Sequence, residues 1–209
     1  MNQVQVEIWR RNDDAMAEAT LHTDLAPIDL DLLERTWSPE RIALFNALEI
    51  ASVPRRDRPQ SLPWDWRKKV PELKLLEARG FGVLCDEGWQ GAMMTKTASN
   101  VSRLEATRRK PLVYIDYLEL APWNWKVPPL SQKGQYGGLG TLLFRQAVVQ
   151  SFDEGFAGRV GLHSLPQAET FYAGLGLKCV AHDNSKRMSY FEMDTGTANQ
   201  MMEHDGGVS

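Results

Sequence analysis

The segment 135–141, Gln-Tyr-Gly-Gly-Leu-Gly-Thr, has the residue types and spacing with which a chain can hold an anion. It lies between an apolar run at 112–120 and a helical spacing of apolar side chains from Leu143 to Phe152. Glycine allows positive φ and lets a ligand approach the main chain without a Cβ in the way. The free N–H groups of the first helical turn, at the positive end of the helix dipole, suit a phosphate. We therefore expect an anion site here, with a plain glycine-rich turn as the alternative.

The spacing of the glycines narrows the kinds of phosphate-binding loop. A Walker loop requires lysine and then serine or threonine after its last glycine, whereas Gly140 is followed by Thr141 and Leu142. A dinucleotide fingerprint requires the order G-x-G-x-x-G early in a βαβ unit. The order here is Gln-x-x-Gly-x-Gly, late in the chain. Neither of these two nucleotide loops is therefore predicted.

Three ionisable side chains of the predicted strands could accept a proton. Asp116 interrupts the apolar run 112–118, and a buried carboxylate is rare without a partner or a function. Glu119 is the neighbouring option, on the opposite face of the strand by alternation, and His163 ends the next predicted strand. For each of these side chains, a hydrogen-bonded structural group is the alternative interpretation.

The elements that must position these residues follow from apolar periodicity and from turn residues. A strand is predicted at 4–9, a weak helix or loop at 12–20, and a helix from Ser38-Pro39 to about Val53. After a polar connection, a short helix is predicted from Pro71 to Gly80, followed by a hairpin of 81–86 and 89–95 and by the strand 112–120. The glycine turn with its helix comes next, and then a strand at 159–163. The last elements predicted are a helix opened by Ser164-Leu165-Pro166-Gln167 and ended by Gly176, and a closing hairpin of 177–182 and 188–193.

Composition indicates a single globular domain, or one with an appendage, because the 209 residues are 43% hydrophobic and 24% charged. The net charge is −3 and no long Lys/Arg run occurs, so a nucleic-acid partner is not expected. The amino terminus lacks a signal-peptide pattern and no apolar run reaches membrane-span length, so we expect a cytoplasmic protein with no membrane partner. The two distant cysteines and four histidines have no ligand spacing, so no metal is predicted.

Two motifs in the same order resemble those of the GNAT superfamily of acetyl-CoA-dependent N-acetyltransferases. The first is Gln135-x-x-Gly138-x-Gly140, and the second is Ala168-x-x-Phe171-Tyr172-x-x-Leu175-Gly176-Leu177. The resemblance implies an α/β fold with a mixed, mostly antiparallel sheet flanked by helices. It divides the chain into a single domain at 1–194, with a variable helical part at 1–80 and a cofactor-binding core at 81–194. The polar segment 195–209 is predicted to be a disordered tail.

The resemblance implies an N-acyltransferase that moves acetyl from acetyl-CoA to a primary amine by direct attack in a ternary complex, without a metal. The main chain of the glycine turn would hold the pyrophosphate, and the strand end would pair with the pantetheine arm. Tyr172 would protonate the departing thiolate, although an aromatic side chain on an apolar face is usually part of the core. The general base stays open among Asp116, Glu119, His163 and a water relay. Cofactor contacts are implied for Leu118, Glu119, Leu120, Gln135, Tyr136, Gly137, Gly138, Leu139, Gly140 and Thr141.

Three features depart from the family pattern. The segment 121–134, rich in proline and tryptophan, is longer than usual; we hypothesise that it lines or covers the acceptor site, and a loop packing its own tryptophans is the alternative. Leu165 stands where many members carry asparagine. Tyr136 stands where a small residue is common; a side chain there can point to solvent, so this departure does not disable the loop.

Other functions remain open on the sequence. A non-catalytic GNAT-like module that binds CoA or regulates is one alternative, and an acyltransferase for a protein or aminoacyl-tRNA is another. The negative net charge argues against the RNA substrate, because phosphate contacts need clustered lysine and arginine. The acceptor can be a small-molecule or peptide amine, and a homodimer is one oligomeric state that this interpretation allows.

Overall fold

The computed structural model describes residues 2–98 and 100–203. Within them the strands are β1 (Gln3–Arg10), β2 (Ala15–His22), β3 (Ala78–Cys85), β4 (Gly88–Lys96), β5 (Val113–Leu120), β6 (Tyr136–Gly137), β7 (Val160–Ser164), β8 (Lys178–Asp183) and β9 (Met188–Met193). The helices are α1 (Pro27–Ile50), α2 (Val70–Leu73), α3 (Leu139–Asp153), α4 (Glu169–Gly174) and α5 (Thr195–Glu203). Among these described residues, no helix has the length and apolar character needed to cross a membrane.

The strands form one mixed sheet in the order β6-β1-β2-β3-β4-β5-β7-β9-β8. The pairs β1–β2, β2–β3, β7–β9 and β8–β9 are antiparallel, whereas β5 and β7 are parallel. The parallel register joins Val113–Ile115 to Val160–Leu162, and β5 continues beyond it to Leu120. This topology confirms the predicted mixed α/β class and the closing hairpin.

The chain divides into two compact units, each discontinuous in sequence. Unit 1 consists of the described residues of 1–93 and 118–143, and unit 2 of those of 94–117 and 144–209. The chain passes from one unit to the other within β4, β5 and α3. The extent of a single domain over 1–194 therefore stays a prediction.

Helix α1 supplies much of the core of unit 1, and it begins 11 residues before the predicted start at Ser38. Pro27 occupies the first turn, and the Asp29 carboxylate accepts a hydrogen bond from the Ala26 N–H at 2.8 Å. The buried side chains continue through the interior proline on one face: Leu30, Leu33, Trp37, Leu44 and Leu48. A proline usually ends a helix because it lacks an N–H. Here the apolar face on both sides of Pro39 is buried, which outweighs that loss.

Two further predictions in the first 80 residues are wrong. The segment predicted as a weak helix or loop forms β2, which pairs with β1 over its whole length because Ala19 and Leu21 alternate with more exposed side chains. The predicted short helix has only one turn, at Val70–Leu73. Gly80 does not end a helix; it lies in β3, where a Cβ would be 2.8 Å from Leu25 Cβ. Its role is therefore close packing.

In unit 2, the prediction of a disordered tail is wrong for 195–203, which form α5, and 204–209 lie outside the described residues. Asp194 caps this helix by accepting a hydrogen bond from the Thr197 N–H at 2.9 Å, and its carboxylate is paired with Lys178 at 2.7 Å. Ala198 is buried next to Gly158, whose missing Cβ leaves room for it. The segment is held by a helix cap and one small buried residue. Its sequence therefore lacks the regular spacing of apolar residues that predicts a helix.

Candidate functional site

The glycine turn joins β6 to α3 in unit 1. Gly138 has φ of +76°, a conformation that L side chains rarely adopt, and a Cβ built there would meet no atom within 4 Å. Helix α3 begins at the next residue, and the Gly138 carbonyl accepts the hydrogen bond from the Leu142 N–H at 2.9 Å. The N–H groups before Leu142 have no partner earlier in a helix. The turn therefore offers main-chain donors beside open space, which suits an anion.

The first residues of the predicted contact segment face the protein instead. The Gln135 N–H donates to the Trp123 carbonyl at 3.2 Å, and the Tyr136 N–H donates to the Asn124 side-chain oxygen at 3.0 Å. Both amides therefore have partners within the protein, and their contact with a pyrophosphate stays a prediction. Gly137 pairs with Trp9 in the sheet, and a Cβ there would lie 2.5 Å from a Trp9 ring carbon. Residues 138–141 are left as the part of the segment that could contact an anion.

The Tyr136 side chain points into the protein, although a side chain at this position can also point to solvent. It is 3% exposed, and its hydroxyl lies 3.8 Å from the Cys85 sulfur. Burial is the main cause that raises the pKa of Tyr136 above its ordinary value of 10. The side chain anchors the turn to β3.

A buried cluster of charges lies behind the end of β5, also in unit 1. The Arg41 guanidinium donates to Glu34 Oε1 at 2.6 Å and to Glu119 Oε2 at 3.3 Å. Trp66 donates two further hydrogen bonds: its main-chain N–H to Glu34 Oε2 at 2.9 Å, and its indole N–H to Glu119 Oε2 at 2.6 Å. The side chains of Glu34, Arg41 and Glu119 are 2%, 5% and 1% exposed. One guanidinium therefore serves two buried carboxylates.

The pKa of Glu119 is shifted in this buried cluster. Burial raises the pKa of Glu119 from its ordinary 4.5 to about 7, although Arg41 and the Trp66 indole act in the opposite direction. The Ser61 side chain also acts on this carboxyl and lowers its pKa, whereas the buried Oε1 atom has no hydrogen bond of good geometry from the described residues. A carboxyl group with a pKa near neutrality can gain or lose a proton at working pH.

The segment 121–134 is bonded into unit 1. Trp123 donates its indole N–H to the buried Gln90 side-chain oxygen at 2.8 Å, and Trp125 donates to the Leu120 carbonyl at 2.8 Å. Asn124 also donates to Gln90 at 2.9 Å. Val127 is buried in a cluster with α1. Both tryptophans thus have structural partners, and whether the segment also contacts an acceptor stays a hypothesis.

Asp116 and His163, predicted as candidate bases, lie close to Tyr114 in unit 2. The Asp116 carboxylate is 2.5 Å from the Lys96 ammonium, and the His163 Nδ1 atom is 2.7 Å from the Tyr114 hydroxyl. Burial is the first cause that lowers the pKa of His163 below its ordinary 6.5, followed by the cations of Lys186 and Arg103. Burial and the charge of Asp116 raise the pKa of Tyr114 to about 12. Both candidates thus have the structural partners that were the alternative interpretation.

Tyr172 lies in α4 and packs among aromatic rings of unit 2. Its ring centroid is 6.2 Å from that of Phe144, 5.0 Å from that of Phe171 and 6.3 Å from that of Phe191. Burial alone raises the pKa of Tyr172 above its ordinary value of 10, so the phenol keeps its proton at neutral pH. Within the described ranges, no hydrogen bond joins Tyr172 to Asp116 or His163.

Sequence reasoning missed Glu34, Arg41, Trp66 and Gln90 as parts of this site. Glu34 and Arg41 stand seven residues apart on the face of α1 that also carries Trp37. Charged residues within an apolar helical face can be recognised in a sequence. Here they were missed because the predicted helix started at Ser38, after Glu34. In residues 2–98 and 100–203, no group of three or more His, Cys, Asp or Glu side chains could hold a metal ion.

No protein-family model matches the sequence, and no curated protein matches it significantly. Solved structures do match. PaiA N-acetyltransferase from Thermoplasma acidophilum, in complex with coenzyme A, is 16% identical with a TM-score of 0.54 over 84% of this chain and 98% of that chain. The ribosomal-protein-S18-alanine N-acetyltransferase from Escherichia coli is 14% identical, with a TM-score of 0.50 over 84% and 91% of the two chains.

A third similar structure is a KacTA–DNA complex, 14% identical with a TM-score of 0.55 over 89% of this chain and 99% of that one. At these identities the likeness shows the fold alone. The chain has the fold of the GNAT acetyltransferases, as the two motifs predicted.

Proposed function

Because the chain has the GNAT acetyltransferase fold, we propose that it is an acyl-CoA-dependent N-acyltransferase that moves acetyl from acetyl-CoA to a primary amine. The observation that carries this proposal is the glycine turn, where Gly138 faces open space and α3 starts at the next residue. When bound, acetyl-CoA supplies a thioester whose acyl carbon the amine attacks. The complex of the similar PaiA structure with coenzyme A supports the choice of cofactor.

In this proposal, unit 1 binds and orients the cofactor. The N–H groups of residues 138–141 donate to the diphosphate, and the positive end of the α3 dipole adds to the attraction. The main chain of Leu118–Leu120, beyond the ladder that ends at Ile115, pairs with the pantetheine arm. Holding amine and thioester together contributes up to several kcal/mol, of order 7–11 in well-oriented systems. Positioning is therefore the largest contribution that we assign to this chain.

Proton transfer in the proposal involves one buried carboxyl and one phenol. Glu119 takes the proton from the incoming ammonium, supported by its pKa of about 7. Asp116 and His163 are less suited, because the first is paired with Lys96 and the second with Tyr114. Tyr172 gives its proton to the departing thiolate, supported by a phenol that stays protonated at neutral pH.

The test compares CoA binding by Gly138→Asp and Gly138→Asn in isothermal calorimetry. Asparagine and aspartate are similar in size, and both tolerate positive φ, so the two variants differ mainly in one negative charge. Two unit charges 4 Å apart repel by about 1 kcal/mol in water and about 4 kcal/mol at a protein surface. We expect Gly138→Asp to bind CoA about 5- to 800-fold more weakly than Gly138→Asn, with the difference shrinking in high salt.

Equal affinities of the two variants would contradict the diphosphate site at this turn. Turnover is measured separately, as thiol release from acetyl-CoA across a panel of amines. Amine-dependent release supports the transferase. CoA binding without release from any amine would instead favour the non-catalytic CoA-binding module.

A further inference from the structure

A cavity of about 710 Å³ in unit 1 is lined by residues of α1 and of the segment 55–68. Its volume lies in the range of about 300–1,000 Å³ that small-molecule sites occupy. The glycine turn does not contribute to it. Its lining shares Glu34 and Arg41 with the buried charge cluster, so the cavity reaches the groups that hold Glu119.

One part of the cavity wall is apolar and exposed. Ile42 and Phe45, three positions apart on α1, are 60% and 44% exposed, and Leu62 of the opposite segment is half-buried. Large apolar side chains gain free energy when a ligand removes them from water. The cavity therefore favours a ligand with an apolar body.

The charges of the wall have a surplus of cations. Each carboxylate of the lining is paired with an arginine of the lining: Glu34 with Arg41, Glu49 with Arg58, and Asp65 with Arg67. The lining also contains Arg55 and Lys68, which belong to none of these three pairs, although the Lys68 charge also acts on Asp65. Two exposed cations thus remain beside an apolar wall. This arrangement favours a ligand that also has a negative charge, since a carboxylate can accept charge-assisted hydrogen bonds from both.

We infer that this cavity takes the acceptor, and that the acceptor combines an apolar body, a primary amine and a carboxylate. An apolar amino acid or a short apolar peptide with a free carboxyl terminus has this chemistry. The inference rests on the proposed function, because the amine is what the transfer reaction requires. Arg41 links the two parts, since it lines the cavity and donates to Glu119, the proposed proton acceptor.

The test is calorimetric binding of four ligands to the full chain, with and without saturating CoA. Phenylalanine and phenylalanyl-phenylalanine are each compared with their carboxyl-terminal amides, which lack only the negative charge. The amino acid and the dipeptide distinguish the two sources of the acceptor. We expect the better carboxylate to bind at least about tenfold more tightly than its amide, the effect of one or two charge-assisted hydrogen bonds.

The double variant Arg55→Ala/Lys68→Ala should reduce this preference to within about twofold, because the surplus cations are gone. The matched control is Arg56→Ala, which removes an exposed neighbouring cation that does not line the cavity. It should keep the preference. Failure of both carboxylates to bind, equal binding of acid and amide, or an unchanged preference in the double variant would overturn the inference.

These outcomes are separate from those of the proposed function. Binding of the four ligands is measured without turnover, whereas the transferase itself is tested by CoA binding and by thiol release with any amine. A transferase that prefers amines without a carboxylate would refute the acceptor class and keep the function. Carboxylate binding in a chain that does not bind CoA would keep the ligand class of the cavity and refute the proposed function.

Discussion

The buried cluster of Glu34, Arg41 and Glu119 makes a sharp prediction about stability. Replacing Arg41 by methionine keeps a similar side-chain volume and removes the guanidinium that is paired with both carboxylates. Removing one partner of a buried ion pair typically costs about 3–5 kcal/mol, because a charge is left uncompensated. We expect Arg41→Met to lose about this much stability at pH 8, above the pKa of about 7 that Glu119 has in the folded chain.

The pH dependence follows from the sign of the Glu119 shift. The folded chain holds a proton on Glu119 up to a pKa of about 7, whereas the unfolded chain releases it near 4.5. Stability from this group is therefore fully present below pH 4.5 and falls by about 3 kcal/mol as the pH rises through 7. The loss in Arg41→Met should accordingly shrink by at least about 1 kcal/mol at pH 5.5, where Glu119 can take up a proton.

Glu119→Gln is the matched variant. The amide oxygen can still accept the bonds from Arg41 and Trp66, and Arg41 keeps Glu34 as its counter-ion. We expect a change within about 1 kcal/mol at pH 8, and a smaller fall of stability between pH 4.5 and 7 than in the wild type. The double variant should be less destabilised than the sum of the two single variants, because only one carboxylate is then left unpaired.

The measurement is urea unfolding at pH 5.5 and 8, followed by circular dichroism and extrapolated to water. A loss below about 1 kcal/mol in Arg41→Met, equal at both pH values, would refute the reasoning, since a buried uncompensated charge cannot be that harmless. Unchanged urea slopes between variants are needed for the comparison, because a changed slope signals an altered denatured or native state.

Three other variants test separate parts of the molecule. Gly137→Ala should lose about 1–3 kcal/mol in urea unfolding, because its Cβ would lie 2.5 Å from the Trp9 ring; a neutral effect would contradict the close pairing of β6 with β1. Tyr172→Phe should keep CoA affinity and most of the stability while kcat falls about 10²-fold or more, if the phenol donates the proton; an unchanged kcat would exclude that role. Trp123→Phe removes the bond to Gln90 and should lose about 0.5–1.5 kcal/mol; its acceptor KM rises only if the 121–134 segment contacts the acceptor.

Local patterns carried much of the fold. The hairpin of β3 and β4, the closing hairpin and the helix after the glycine turn were predictable, because alternation, helical spacing and turn residues act over a few neighbouring positions. The same locality explains the errors. The alanines of β2 resemble a weak helix in the sequence, but the segment pairs with β1 as a strand. Pro39 resembles a helix start, but the residues on both sides of it are buried in the core as one helix.

By itself, the sequence determined the glycine turn and the mixed α/β class, since positive φ at Gly138 and the order of elements depend on nearby residues. Only the tertiary structure decided which amides remain available and which carboxyl group is perturbed. The main-chain N–H groups of Gln135 and Tyr136 donate to partners 12 residues earlier in the chain. Arg41 is bonded to Glu119, which lies 78 residues further along the sequence. Desolvation, which moves the pKa of Glu119 toward neutrality, exists only after the chain has closed around it.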